Sequence, residues 1–213
     1  MQMQFREYQK KDFQSLKEIV RKTWCYDEFS SQKTASRLAE VFLSSCLTNY
    51  TFSQVAVLND TVAGIILAKK IESHRCSPAN RFNQIKSIIN LYLSKEGRQV
   101  FQIFKRVHEI DMQLLNNCHK TYSAELVLFA VNPTYQGKGI GKKLFQSALD
   151  YMTRQRLDEF YLFTDTSCNY GFYEHQGMKR RCETEQLFNI NGLSEKMNFF
   201  IYDYTNNLPS DEM

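Results

Sequence analysis

The sequence predicts an α/β (α+β) fold, a mixed sheet flanked by helices, and three observations carry that expectation. Strand-like and helix-like periodicities alternate along the chain. A short apolar run at 125–131 passes through a glycine turn into an amphipathic helix and a second apolar run, a β-α-β unit. Two strand-rich segments follow near the end of the chain.

Residues 4–8 alternate weakly, as an edge strand does, and Asp12 stands where an N-cap would open a helix carrying Phe13, Leu16, Ile19 and Val20 inward. A second helix is expected from about Gln32 to Leu47. The β-rich runs 53–58 and 61–71 are joined by Asn59-Asp60, a tight hairpin signal. From about 72 to 121 the pattern turns helical, beginning at Ser77-Pro78. Phe82, Ile85, Ile88, Ile89, Tyr92 and Leu93 form one stripe; Val100, Phe101, Phe104, Val107, Ile110, Leu114 and Leu115 form another. The run 125–131 is apolar enough for a central strand buried on both faces. Leu144, Phe145, Ala148, Leu149 and Met152 then mark a helix, 160–164 a buried strand, and 169–175 a short helix stopping at Gly177. Strands at 184–190 and 197–204 flank the turn residues Asn191-Gly192.

With 213 residues, 43% of them apolar and 14% aromatic, the chain can bury a substantial core, and one domain over 1–213 is expected. A net charge of +4, carried by scattered Lys and Arg, forms no stripe for a duplex, so nucleic acid is not an expected partner. The six cysteines lie far apart, without C-x-x-C or a zinc-spaced His, and read as free thiols with no metal. Neither a signal-peptide core near Met1 nor a membrane-length apolar run is present, and a reducing cytosol is expected.

The glycine turn is the most specific feature. Pro133, then Gly137, Gly139 and Gly141 at the mouth of a helix, let backbone N–H groups converge on an anion. Lys138, Lys142 and Lys143 add charge suited to a diphosphate. A P-loop is excluded because the residue five beyond Gly137 is Lys142, not glycine. A Rossmann fingerprint is excluded because the glycines are spaced by two and lie late in the chain.

Gln136-x-x-Gly139-x-Gly141 after an apolar strand resembles the Q/R-x-x-G-x-G/A acyl-CoA signature of the GNAT superfamily. Asn169-Tyr170-Gly171-Phe172-Tyr173-Glu174-His175-Gln176-Gly177-Met178 resembles that family's second block, an asparagine before a helix ending F-Y-x-x-x-G-F. The resemblance is strong over about 120–180 and loose elsewhere. It implies a mostly antiparallel central sheet with splayed central strands, and acetyl-CoA as co-substrate. Gln136, Gly137, Lys138, Gly139, Ile140, Gly141 and Lys142 would hold the pyrophosphate. The backbone of Phe129, Ala130 and Val131 would pair with the pantetheine arm, and the amide near Phe129 would polarise the thioester carbonyl.

The resemblance also implies catalytic roles. Tyr173 matches the tyrosine that protonates the leaving thiolate, a transfer suited by the closeness of phenol and thiol pKa values. Asn169 would hydrogen-bond the cofactor arm or serve as a helix cap. Glu125 resembles the glutamate that is general base in histone-acetylating members, with Asp165 as second choice and ordered water as a third. The four His residues form no triad with Ser and Asp that a sequence can reveal, so direct attack is expected rather than a covalent enzyme intermediate.

About fifty residues separate the third and fourth strands, where the family has a short turn. These helices are expected either to wall the acceptor site or to serve as a packing or dimer surface. The acceptor is expected to be an amine of a small molecule or peptide; a module that binds acyl-CoA without chemistry is the alternative. A phosphotransferase would need Ser or Thr at 143, which is Lys.

Overall fold

The computed structural model describes residues 2–190 and 193–205. The strands are β1 (Met3–Arg6), β2 (Phe52–Leu58), β3 (Thr61–Lys70), β4 (Ala124–Val131), β5 (Glu159–Asp165), β6 (Lys179–Ile190) and β7 (Leu193–Thr205). The helices are α1 (Phe13–Thr23), α2 (Gln32–Leu47), α3 (Pro78–Tyr92), α4 (Lys95–Asn117), α5 (Ile140–Arg154) and α6 (Gly171–His175). One mixed sheet takes the order β1-β2-β3-β4-β5-β7-β6, antiparallel throughout except for the parallel β4–β5 pair.

Local chemistry accounts for most of these elements. Asn59 and Asp60 take φ of 45° and 63°, the left-handed pair that a two-residue hairpin needs, and Leu58 pairs with Thr61. Leu16, Ile19 and Val20 bury one face of α1 as their spacing requires. Asp12 precedes α1, but its carboxylate makes no cap hydrogen bond to that helix. It is 2% exposed and grips the Arg6 guanidinium through two 2.7 Å bonds while accepting from the Gln9 amide, which ties β1 to the start of α1. The late strands are longer than expected, and Asn191-Gly192 lies outside the described residues.

Helices α1 and α2 cover one face of the sheet, packing Leu16, Leu38 and Leu43 against Val55, Ile65 and Leu67. Helix α5 covers the other with Leu144, Phe145 and Ala148 against Ile66, Ala68 and Leu126. β4 was expected to be buried on both faces; instead burial alternates, with Ala124, Leu126, Leu128 and Ala130 inside. Its register against β3 shifts at Val127, which has no residue opposite. This bulge swaps the faces: Ala124 and Leu126 join the α5 side, whereas Leu128 and Ala130 join the α1–α2 side.

The two inserted helices meet different fates. α4 is fastened at its first turn, where Glu96 accepts from Ser31 N (2.7 Å), Ser31 Oγ (2.6 Å) and Thr34 Oγ1 (2.5 Å) at the start of α2. Further along, Ile110 and Leu114 pack with Tyr161, Phe199 and Ile201. Most of the stripe on α3 is left uncovered: Ile88 packs against the core, but Phe82, Ile85, Ile89 and Leu93 are 67, 50, 55 and 71% exposed. α3 turns its polar side to α2 instead, Asn80 donating to Leu47 O (2.7 Å) and Gln84 to Ser45 Oγ (3.1 Å). The end of α2 offers carbonyls that need donors, and those hydrogen bonds decide the orientation of α3.

Candidate active site

β4 and β5 run parallel for only two residue pairs, Ala124 with Phe160 and Glu125 with Tyr161. Beyond them the strands part, and the β5-side edge of β4 from Leu126 to Val131 has no strand beside it. A cleft of about 1420 Å³ occupies the fork, lined by both strands, by α4 and by the turn before α5.

One end of the cleft is built from backbone. Asn132 accepts from Thr134 N (3.1 Å) and starts a 3₁₀ turn over Pro133–Tyr135, from which Gln136 leads in extended conformation into the glycines. Gly139, at φ +74°, opens α5 without a capping side chain, so the first N–H groups of that helix remain to be satisfied. A Cβ at Gly137 or Gly139 would meet nothing within 4 Å, which leaves the space above the turn open. Gln136, Gly137, Gly139, Ile140, Gly141 and Lys142 all line the cleft. Ile140 is 2% exposed and offers only its amide; the ammonium of Lys138 sits over the Tyr135 ring, 5.1 Å from its centre. On β4, Phe129 and Val131 face the cleft, whereas Ala130 is buried and offers backbone alone. An open strand edge running into an uncapped helix N-terminus suits an extended amide-bearing arm ending in a diphosphate, which is the form of the co-substrate implied above.

Tyr173 lines the same cleft, half-buried, its ring near those of Phe129 (6.3 Å between centres) and Tyr202 (6.0 Å). Burial first, then the neighbouring Cys168 and Asp165, push its hydroxyl well above the usual phenol range, which keeps it protonated. Asn169 also lines the cleft; the cap position of α6 belongs to Tyr170, so Asn169 is not spent as a cap. Cys168 is pushed up to about 11, mainly by burial, and stays a thiol at neutral pH.

The other end is built from side chains. Glu125 stands at the fork, ion-paired with Lys69 of β3, with Tyr161 as its neighbour across β4–β5. Because of the bulge at Val127, Glu125 and Phe129 point to opposite faces although both are odd-numbered. Asp165 accepts from Ser167 N (2.7 Å) and from the Ser167 hydroxyl, an Asx turn that occupies one of its oxygens. Asp111 enters from α4, with Val107, Met112 and Leu115 on the same wall. Burial, then the charges of Asp165 and Glu125, push Asp111 up to about 8. The sequence reading passed over Asp111, although its signal was present: a carboxylate embedded in the stripe Val107, Ile110, Leu114.

Residues 101–178 match the Acetyltransferase (GNAT) family. No curated protein sequence matches the chain. Among solved structures, arylalkylamine N-acetyltransferase 2 from Aedes aegypti superposes with a TM-score of 0.60 at 17% identity, covering 97% of this chain and 100% of that one. The protein yncA of Salmonella typhimurium, solved with its cofactor acetyl-CoA, gives 0.54 at 16%, covering 98 and 96%. The ribosomal-protein-S18-alanine N-acetyltransferase of Escherichia coli gives 0.53 at 11%, covering 100 and 99%. Among the described residues no helix is long and apolar enough to cross a membrane. The match over residues 101–178 takes in β4, the glycine turn, α5, β5 and α6, the elements that build the cleft, and the likeness to these solved acetyltransferases is one of fold.

Proposed function

We propose that the protein, as one catalytic domain over 1–213 working in the reducing cytosol, moves an acetyl group from acetyl-CoA to the primary amine of a small molecule or peptide. The observation that supports this reading above all is the open edge of β4 leading into the uncapped N-terminus of α5, with Tyr173 on the same cleft. Acetyl-CoA, when bound, supplies the acetyl thioester. Gln136 to Lys142 hold the diphosphate with backbone N–H groups, and the Phe129–Val131 backbone and Asn169 align the arm. The amide near Phe129 donates to the acyl oxygen as it gains charge. The amine attacks directly: a C–N bond forms, the C–S bond breaks, Tyr173 gives its proton to the departing sulfur, and the proton that the nitrogen loses passes to a carboxylate at the fork. Glu125, held by Lys69 at the fork, sets the negative charge toward which the amine is drawn.

The experiment is release of CoA thiol from acetyl-CoA against a panel of amines, comparing wild type with Tyr173→Phe and Gly139→Glu. Amine-dependent release that falls in both variants supports the reading. Tight binding of acetyl-CoA with no turnover on any amine would instead assign the protein as a non-catalytic acyl-CoA module.

A further inference from the structure

The fork carries three carboxylates, from three different elements, and they are not equivalent. Glu125 has Lys69, and Asp165 has Ser167 twice. Asp111 has neither an ion pair nor a hydrogen bond among the described residues, yet it faces the cleft from the middle of α4, on a helix fastened by Glu96 at one end and by Ile110 and Leu114 near the other. Buried and half-buried carboxylates are almost always paired, so a carboxylate that lines the cleft and that no described residue pairs marks where a cationic ligand group is to sit.

We infer that Asp111 is the residue that meets the acceptor's ammonium group and takes its proton, and that the acceptor is an amine with an apolar body and no adjacent carboxylate. The inference rests on the transferase reading above. The ammonium N–H bond breaks toward the Asp111 carboxylate, which becomes a carboxylic acid, and the freed lone pair attacks the acyl carbon. Glu125 and Asp165 raise Asp111 directly, and Lys69, Tyr161, His108 and His74 line the same cleft, as do the cations Lys22 of α1, Arg81 of α3 and Lys142 of α5. Lys69 is committed to Glu125, which leaves Asp111 and Asp165 as the carboxylates that a cation entering the fork would meet. A second carboxylate on the acceptor would be repelled by the same groups. Val107, Met112, Leu115 and Phe163 provide apolar wall for the rest of the acceptor. Burial and its acidic neighbours raise Asp111 to about 8, so it carries a proton at neutral pH until an ammonium beside it favours the carboxylate, which then has the proton affinity of a base working near neutral pH.

The test uses phenethylamine and its carboxylated analogue phenylalanine on the full chain. In ¹³C-carboxyl NMR with CoA bound, the Asp111 signal, assigned by its loss in Asp111→Asn, is titrated with and without phenethylamine. The expected result is a fall in its midpoint of at least about one pH unit, because a bound ammonium holds the carboxylate ionised. In the thiol-release assay, Asp111→Asn is expected to lose on the order of 10²-fold at pH 7 with CoA affinity unchanged. The loss should narrow toward pH 10, where the free amine no longer needs a base; phenylalanine should be a poor acceptor at both pH values. An unmoved Asp111 midpoint alongside intact phenethylamine-dependent release, or a loss equal at pH 7 and pH 10, overturns the inference and leaves the transferase reading standing. Absence of turnover on every amine sinks the transferase reading itself, and the NMR titration still decides whether Asp111 meets an ammonium.

Discussion

The two ends of the cleft are made of different material. The end proposed for the co-substrate is backbone: a strand edge released by the fork, a glycine turn at φ +76° and +74°, and the N–H groups at the start of α5. The end proposed for the acceptor is side chain, with Asp111, Glu125 and Lys69 brought from α4, β4 and β3. A backbone site tolerates many sequences around a few obligatory glycines. A side-chain site can be rebuilt by changing single residues, which is how one fold keeps one co-substrate geometry while its acceptor varies.

That contrast can be broken most severely at the glycine turn. Gly139→Glu places a carboxylate in the open space proposed for the diphosphate and forces an L residue to φ +74°; calorimetry is expected to record a loss of acetyl-CoA affinity on the order of 10³-fold. Affinity within tenfold of wild type would move the diphosphate elsewhere. Tyr173→Phe should leave that affinity alone and lower turnover on the order of 10²-fold, read as kcat at saturating acetyl-CoA. Equal turnover in the variant would return the leaving-group proton to solvent.

At the acceptor end a stability measurement sharpens the comparison. Asp111 titrates higher in the fold than in the unfolded chain, so the native state is weakened as pH rises from the ordinary carboxylate range through about 8. Asp111→Asn is therefore expected to match wild type in thermal melts below about pH 4 and to exceed it increasingly up to about pH 8, with no further gain beyond. A constant difference across that range would remove Asp111 from a desolvated, acidic setting. The smallest effect belongs to α3: Phe82→Ser or Ile85→Ser, at 67 and 50% exposure, should each change stability by no more than about 0.5 kcal/mol in urea titration. A loss of several times that would mean the stripe is covered in solution.

Sequence reading and structure agree where the information is local. The Asn59-Asp60 hairpin, the α5 stripe of Leu144, Phe145, Ala148 and Met152, and the open glycine turn were all legible, since each depends on residues within a few positions of one another. The reading went astray where a partner element decided the outcome. The α3 stripe had the right period for burial, yet the Leu47 carbonyl and the Ser45 hydroxyl of α2 claimed the polar side of α3. Glu125 was legible as a strand-end acid, but its pairing with Lys69 across β3–β4 was not.

What the sequence by itself determined is the order of elements and the place of the glycine turn, because helix and strand periods and positive-φ glycines are written in adjacent residues. Only the tertiary structure decided that Val127 bulges, that β4 and β5 part after Glu125 and Tyr161, and that Asp111 from the inserted helix arrives at the fork. Those outcomes follow from register and packing between segments distant along the chain, where each contact is chosen by the shape and hydrogen-bonding needs of its partner and not by its own neighbours.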